Sequence, residues 1–247
     1  MPASKPSDKL NRSRLHEEIV TLIQTQILKG EIAPGAKLPT ERELAEKLNV
    51  NRSTVREALR KLESQELLDI RHGDGVYARD FTDSGSLDLI KTLIYLNDEL
   101  DVKVLKDLLV FRRIFVPDMA AIAAQNRSTA ELENLERIVN ASPELSVLER
   151  DLSLHRAIAK ATHNLIYIIM LNFFNKLFLD FGYLYFDRPE NRERSSQFHR
   201  DILEAIASGD AERSRSVMDE VLAFAEDQIN GFIDSAGPRV KGRAKHN

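Results

Sequence analysis

Two short amphipathic segments separated by a tight turn constrain the fold of this chain more than any other feature. The first begins at Thr40, which has the spacing of a capping box with Glu43, so that each side chain accepts from the other residue's backbone N–H. The second follows Asn51, a preferred N-cap residue, and its apolar side chains recur at helical spacing. Two such helices joined by a short turn predict a helix-turn-helix.

A β-hairpin is predicted directly after the second helix. Residues 67–71 and 76–79 read as two short strands, and His72-Gly73-Asp74-Gly75 supplies the turn between them. We interpret this hairpin as a wing that would touch the backbone or the minor groove of bound DNA.

The first turn of the second helix carries four polar side chains suited to DNA. In a helix-turn-helix this end enters the major groove, where arginine can give two donors to guanine and Ser or Thr can bind phosphates or base edges. The alternative is a generic pair of helices with a solvated arginine face. The four residues are Arg52, Ser53, Thr54 and Arg56.

The run LPTERELAEKLNVNRSTVREALRKLESQELL, followed by HGDGVYA, resembles the winged-helix domain of the GntR family of bacterial transcriptional regulators. The resemblance covers this domain nearly end to end. It implies a homodimer that reads double-stranded DNA at a pseudo-palindromic operator, with Arg52 and Arg56 as base readers or phosphate anchors. The further DNA contacts that it implies are Arg42, Asn51, His72 and Gly73.

Composition narrows the class of protein. The 247-residue chain has no cysteine, which excludes disulfides and thiolate metal sites. No apolar run is long enough to span a bilayer and no signal-peptide pattern is present, so we expect a cytoplasmic protein without membrane contact. Residues 1–80 carry a net charge of only +1 against −5 for the remainder, so positive charge for DNA must be concentrated on one face.

The fold class predicted is mainly α, with an N-terminal winged helix-turn-helix of three helices and a hairpin, followed by an all-α antiparallel bundle. The bundle shows no strand-like alternation, and turn signals separate helices at about 101–126, 129–140, 144–162, 164–186, 190–208 and 210–233. The predicted divisions are a disordered N-terminus (1–11), the winged domain (12–80, led by a helix at about 12–29), a linker with a connecting helix (81–100), the helical domain (101–235) and a disordered basic tail (236–247).

Segments 108–124, 149–164 and 198–218 resemble the FadR subgroup of GntR regulators, whose helical FCD domain binds an effector and forms the dimer. Asp151 and His155 are four residues apart on a predicted helix and share one face. The resemblance implies that this pair and His199 hold a divalent metal such as Zn or Ni, although a further histidine of the subgroup is replaced near Val221. A hydrogen-bonded Asp–His pair beside a cavity, or a satisfied core histidine, is the alternative.

Two classes of effector stay open. A small carboxylate held with a metal suits the Asp–His cluster. Arg112 would then pair with the carboxylate of the ligand, and the alternative is that Arg112 forms a surface salt bridge. A fatty acyl thioester suits residues 164–186, which hold 8 of the 16 Phe and Tyr residues and would line an apolar cavity for the acyl chain. The alternative is that this segment is the central core helix of the bundle. SGSLDLIKTLIYL (84–96) and YFDRPENR (185–192) also resemble fatty-acid-responsive members of the subgroup. The predicted effector-binding residues are Arg112, Asp151, His155, Tyr185 and His199.

Two other functions are compatible with parts of the sequence. One is a metal-dependent helical-bundle enzyme using the Asp–His cluster, against which no nucleophile–base pair or cofactor loop is visible. The other is a winged helix that docks protein and would show no salt-dependent DNA binding.

Overall fold

The structure is a computed structural model that describes residues 6–94, 101–140 and 146–236. The chain divides into two compact units, Met1–Asn97 and Asp98–Asn247. The predicted fold class is confirmed, and each unit is described here by itself. No helix in the described ranges is long and apolar enough to cross a bilayer.

The N-terminal unit is a three-helix core with a hairpin. Helix α3 buries one apolar face against α1 and the start of the hairpin, which explains why Val55, Ala58 and Leu62 are fully enclosed. The elements of this unit are α1 (Pro6–Leu28), α2 (Glu41–Leu48), α3 (Arg52–Ser64), β1 (Leu68–Arg71), β2 (Gly75–Ala78), α4 (Phe81–Ser84) and α5 (Leu87–Ile94).

The caps of α2 and α3 differ from each other. At α2 the capping box is confirmed, with the Thr40 N–H donating to Glu43 Oε2 at 2.8 Å and the Glu43 N–H donating to Thr40 Oγ1 at 3.3 Å. Asn51 occupies the N-cap position of α3, but its side chain makes no capping hydrogen bond. The Thr54 N–H bonds instead to the backbone oxygen of Asn51 at 3.0 Å, which leaves the Asn51 amide exposed.

The wing contains a pairing that was not predicted. Strands β1 and β2 are antiparallel with Arg71 opposite Gly75, so the turn is the three residues 72–74, with Gly73 at a left-handed φ of 79°. The free edge of β2 pairs with the segment before α2, through a Leu38 N–H to Val76 O bond of 2.8 Å and an Ala78 N–H to Ala36 O bond of 2.9 Å. This segment anchors the wing to the helix-turn-helix.

The two ends of the N-terminal unit differ from the predicted divisions. Residues 6–11, which were predicted to be disordered, belong to helix α1, which begins at Pro6 because proline is tolerated in a first helical turn. Part of the predicted linker packs on this unit, because Leu89 of α5 joins its core and Gln24 Nε2 lies 3.4 Å from Thr92 Oγ1. Residues 1–5, 95–100 and the predicted tail from 237 lie outside the described residues.

The C-terminal unit is a helical bundle. Helices α6 and α12 run antiparallel, since Lys106 pairs with Asp234 at one end and Asp118 with Arg215 at the other. Together with α8 and α11 they enclose a core around Phe198. The helices are α6 (Val102–Asn126), α7 (Thr129–Val139), α8 (Val147–Ala161), α9 (Leu165–Phe181), α10 (Tyr183–Phe186), α11 (Pro189–Ser208) and α12 (Ala211–Ala236).

The predicted helix 164–186 is two helices, divided at Gly182. A Cβ at this position would lie 2.7 Å from the backbone oxygen of Phe178 and 2.9 Å from Leu148 Cδ1, so the last turn of α9 leaves room only for glycine. Helix α9 also departs from the prediction of burial on nearly all sides. Leu171 and Phe174 are enclosed, whereas Ile166 and Ile169 are more than half exposed.

Candidate nucleic-acid interface and ligand pocket

The N-terminal end of α3 lies at the edge of an open concave surface of about 540 Å³ between α2 and α3. Arg52 and Ser53 are exposed on the first turn of α3, where the backbone N–H groups favour negative charge. Arg42 lies on the α2 side of the same surface and makes one exposed ion pair, with Glu46 at 3.3 Å. Two cationic side chains therefore flank one accessible surface.

Two of the predicted DNA contacts are placed differently from the rest. Thr54 is only 3% exposed, although it lines the same concave surface, so little of its side chain is accessible for the predicted DNA contact. Arg56 is exposed, but its guanidinium is bound by Glu41, with Nε 2.9 Å from Oε1 and Nη2 2.7 Å from Oε2. This hydrogen bond lowers the pKa of Glu41, so the pair is ionised at neutral pH. The pair occupies Nε and one N–H of Nη2, so the charge of Arg56 is offset by Glu41 although its Nη1 donors stay free.

Replacing Glu41 by glutamine should therefore strengthen DNA binding. The substitution removes one negative charge beside α3 and releases the guanidinium of Arg56 for a phosphate. We expect operator affinity to rise several-fold and the salt dependence to steepen by about 1 in slope, measured by fluorescence anisotropy across a salt series. Glu212→Gln, an exposed acid of α12 paired with Arg215, controls for the change in net charge. If Glu41→Gln instead weakened operator binding as much as Arg56→Ala does, the Glu41–Arg56 pair would be needed to hold α3 in position.

The wing has an exposed tip, and side chains next to the tip contact one another. His72 and Gly73 are exposed at the tip, as predicted for DNA contacts. Beside the tip, the Tyr77 hydroxyl donates to Asp74 of the turn at 3.0 Å, and the Arg71 guanidinium lies 4.3 Å from the centre of the Tyr77 ring. Sequence reasoning missed these contacts, although a cation and an aromatic residue on adjoining strands were a usable signal.

The C-terminal unit brings together the residues predicted to bind an effector. Asp151 Oδ1 accepts from His199 Nε2 and from Ser195 Oγ, each at 3.0 Å. His155 Nδ1 lies 3.0 Å from the Asp151 backbone oxygen, which can only accept, so we assign the proton to Nδ1 and leave Nε2 as an acceptor. Arg112 Nη2 lies 3.5 Å from that nitrogen. Ser195 was not predicted, although it precedes His199 by four residues on α11.

Burial and charge determine the protonation of this pocket. Burial lowers the pKa of Arg112 to about 10, so the guanidinium stays charged at neutral pH. Burial alone would raise the pKa of Asp151, but His155, His199 and Arg112 together lower it to about 2. Burial lowers the pKa of His155 and raises that of Tyr185, so both are neutral at pH 7. The alternative of a surface salt bridge for Arg112 does not apply, because this side chain is 7% exposed and lines the pocket.

The pocket does not have the arrangement of a metal site. No group of three or more His, Cys, Asp or Glu side chains in the described ranges is placed to hold a metal ion. His155 directs its acceptor nitrogen at a cationic guanidinium, and Val221 lines the pocket where the sequence lacks the further histidine. A cation at His155 would therefore have to displace Arg112. The hydrogen-bonded Asp–His pair beside a cavity is the alternative that this geometry favours.

Two family profiles match the chain: bacterial regulatory proteins, gntR family, over residues 15–78, and the FCD domain over residues 107–224. The HTH-type transcriptional regulator Mce2R of Mycobacterium tuberculosis is 30% identical over 93% of this chain and 98% of its own length. A fatty acid metabolism regulator protein of Shewanella is 33% identical over 73% of this chain and 75% of its own length. The structure of Lar, which controls expression of the Listeria monocytogenes agr system, is similar in fold, with a TM-score of 0.50, 20% identity, and 87% of this chain and 96% of that chain covered.

Proposed function

Because the chain belongs to the GntR family of bacterial regulatory proteins and is a DNA-binding transcriptional regulator with an FCD domain, we propose that it acts as a homodimer whose operator affinity is controlled by a small-molecule effector. The family is one of regulators and not of enzymes, so the metal-dependent enzyme is rejected. The relatives include fatty acid metabolism regulators, but the effector of this chain is argued from its own pocket.

The observation that carries the DNA-binding part is the exposed first turn of α3. Arg52 and Ser53 lie there with Arg42 beside them, while His72 and Gly73 are exposed at the tip of the wing. The recognition helix enters the major groove in this class of domain, and its arginines can read guanine with two donors. A steep loss of affinity with salt is expected from phosphate contacts, whereas a winged helix that docks protein would show none.

An exposed apolar surface on α6 and α9 supports the homodimer. The two helices are joined by ring contacts, with Phe115 5.3 Å from Phe174 and 6.2 Å from Tyr167. Exposed apolar patches of this kind mark protein interaction sites, and a two-fold dimer would cover the same surface on both copies. This α6–α9 surface consists of Val110, Phe111, Ile114, Leu165, Ile166 and Ile169, all at least 47% exposed.

Replacing Ile114 by aspartate should break the dimer. Ile114 is 68% exposed, so the change costs little within one subunit but places two charges in the proposed interface. We expect sedimentation velocity to show a monomer, and affinity for a pseudo-palindromic site selected from random DNA to fall at least tenfold, to that of a single half-site. Leu22→Asp, at an apolar residue of α1 that is 44% exposed, is the control. A dimer that persists in the Ile114 variant would refute this interface.

Effector control would act through differential affinity. An effector that binds one arrangement of the helical unit better than another shifts the population of arrangements and changes the half-site spacing that the dimer offers. Operator affinity that stays constant while the pocket is saturated with ligand would contradict this part of the proposal.

A further inference from the structure

The buried guanidinium of Arg112 has no carboxylate in direct contact, although Asp151 lines the same cavity and offsets its charge at longer range. Within the described residues no carboxylate lies within 4.0 Å of it, and its only hydrogen bond is the 3.5 Å contact with His155, which is long for such a bond. Its Nε atom and the Tyr185 hydroxyl are both buried without a hydrogen-bond partner. Arg112 and Tyr185 line the same cavity. Unpaired donors of this kind are costly, and they indicate a site for a group that accepts hydrogen bonds.

A second cavity begins where the first one ends. Apart from Arg112, apolar side chains from α6, α9 and α12 line it: Leu105, Leu108, Leu109, Phe174, Leu177, Phe178 and Ile229. Arg112 and Phe178 belong to both cavities, and the guanidinium carbon lies 4.4 Å from the centre of the Phe178 ring. The stacked pair is therefore the partition between a polar chamber and an apolar chamber.

The partition must move for a ligand to enter. The polar and apolar chambers measure about 20 and 10 Å³, which is room for roughly one water molecule each. Phe178 is only partly buried, so its ring can turn away from Arg112 at lower cost than the enclosed side chains around it. Such a movement joins the chambers and exposes guanidinium donors to the combined space.

We propose that the joined pocket binds an organic carboxylate with an apolar chain and needs no metal ion: Arg112 and Tyr185 hold the carboxylate, and the chain lies between α6, α9 and α12. This inference rests on the proposed function and names the class of its effector. Arginine supplies the positive charge and paired donors that suit a carboxylate. A thioester carbonyl is neutral and would add no negative charge in direct contact with the buried guanidinium.

The test uses the full-length chain treated with EDTA and titrated calorimetrically with acetate, hexanoate, decanoate and decanol. Affinity should rise about two- to fourfold per methylene until the apolar chamber is full, as expected for burial of each group. Decanol, which lacks the charge, should bind at least tenfold more weakly than decanoate. Equal binding of decanol, tighter binding of a decanoyl thioester, or decanoate binding that requires added Zn²⁺ or Ni²⁺ would each overturn the proposal.

Two variants test separately the contacts to the carboxylate and the contacts to the apolar chain of the ligand. Tyr185→Phe removes only an unpartnered hydroxyl, so the fold should be unaffected while all three acids bind roughly tenfold more weakly. Leu108→Trp fills the apolar chamber and should weaken decanoate at least tenfold while acetate is unchanged. If neither variant alters binding, the pocket is not the site. Operator binding is measured separately. A protein that binds the operator but not decanoate refutes only this inference, whereas a protein that does not bind the operator refutes the proposed function.

Discussion

Replacing Arg52 by alanine should lower operator affinity by about 5- to 150-fold, which corresponds to about 1–3 kcal/mol for the loss of a base-reading arginine. Arg52 is exposed in the first turn of α3, and no other described side chain forms a salt bridge with it. Its donors are therefore available to a base edge, whereas two nitrogens of Arg56 donate to Glu41. The affinity should fall for the operator and stay nearly unchanged for DNA of unrelated sequence.

The measurement is anisotropy with the selected operator and with a scrambled duplex of equal length. Arg52→Ala should bring the two affinities together, and Arg52→Lys should recover the phosphate part of the binding without the discrimination. Arg60→Ala, two turns further along the same exposed side of α3, controls for the loss of one positive charge. An Arg52 variant that still distinguishes operator from scrambled DNA would exclude α3 as the reading helix.

Replacing Asp151 by alanine should destabilise the helical unit by about 3–5 kcal/mol, the cost of leaving a buried charge uncompensated. Asp151 is 6% exposed, accepts from His199 and Ser195, and is the negative charge that offsets Arg112. Its removal leaves the guanidinium without that compensation. Hydrogen exchange of α8 and α11 amides measures the change in this unit alone. The double variant with Arg112→Met should recover part of the loss, because both charges are then removed.

Acid should produce a related effect in the wild-type chain. The folded pKa of Asp151, about 2, lies below the unfolded value of about 3.9, so its contribution is present above pH 4 and is lost as the pH falls towards 2. Asp151→Asn should remove this component of acid unfolding. Glu204→Ala, which breaks the exposed pair with Arg213, should cause a much smaller change. Equal effects at the buried and the exposed acid would mean that Asp151 is not a structural charge.

The fold was predicted from patterns of residues that lie close together in the sequence. The Thr40 capping box, the turn around Gly73 and the apolar spacing of α3 are set by residues a few positions apart, and each is present as expected. The resemblance to GntR regulators is confirmed by the two family matches. The start of α1 and the break at Gly182 were not predicted, because a first-turn proline and a crowded glycine at the end of α9 leave no periodic signal.

The sequence by itself determined the elements, the family and the types of side chain present, because caps, turns and periodicity act over short separations. Only the tertiary structure decided how those side chains are paired. Glu41 binds Arg56 from 15 positions away, and Arg112 reaches His155 across 43. These pairings depend on which helix faces pack together, and packing places Arg56 in an ion pair with Glu41 and Arg112 against His155 in the pocket where a metal was predicted.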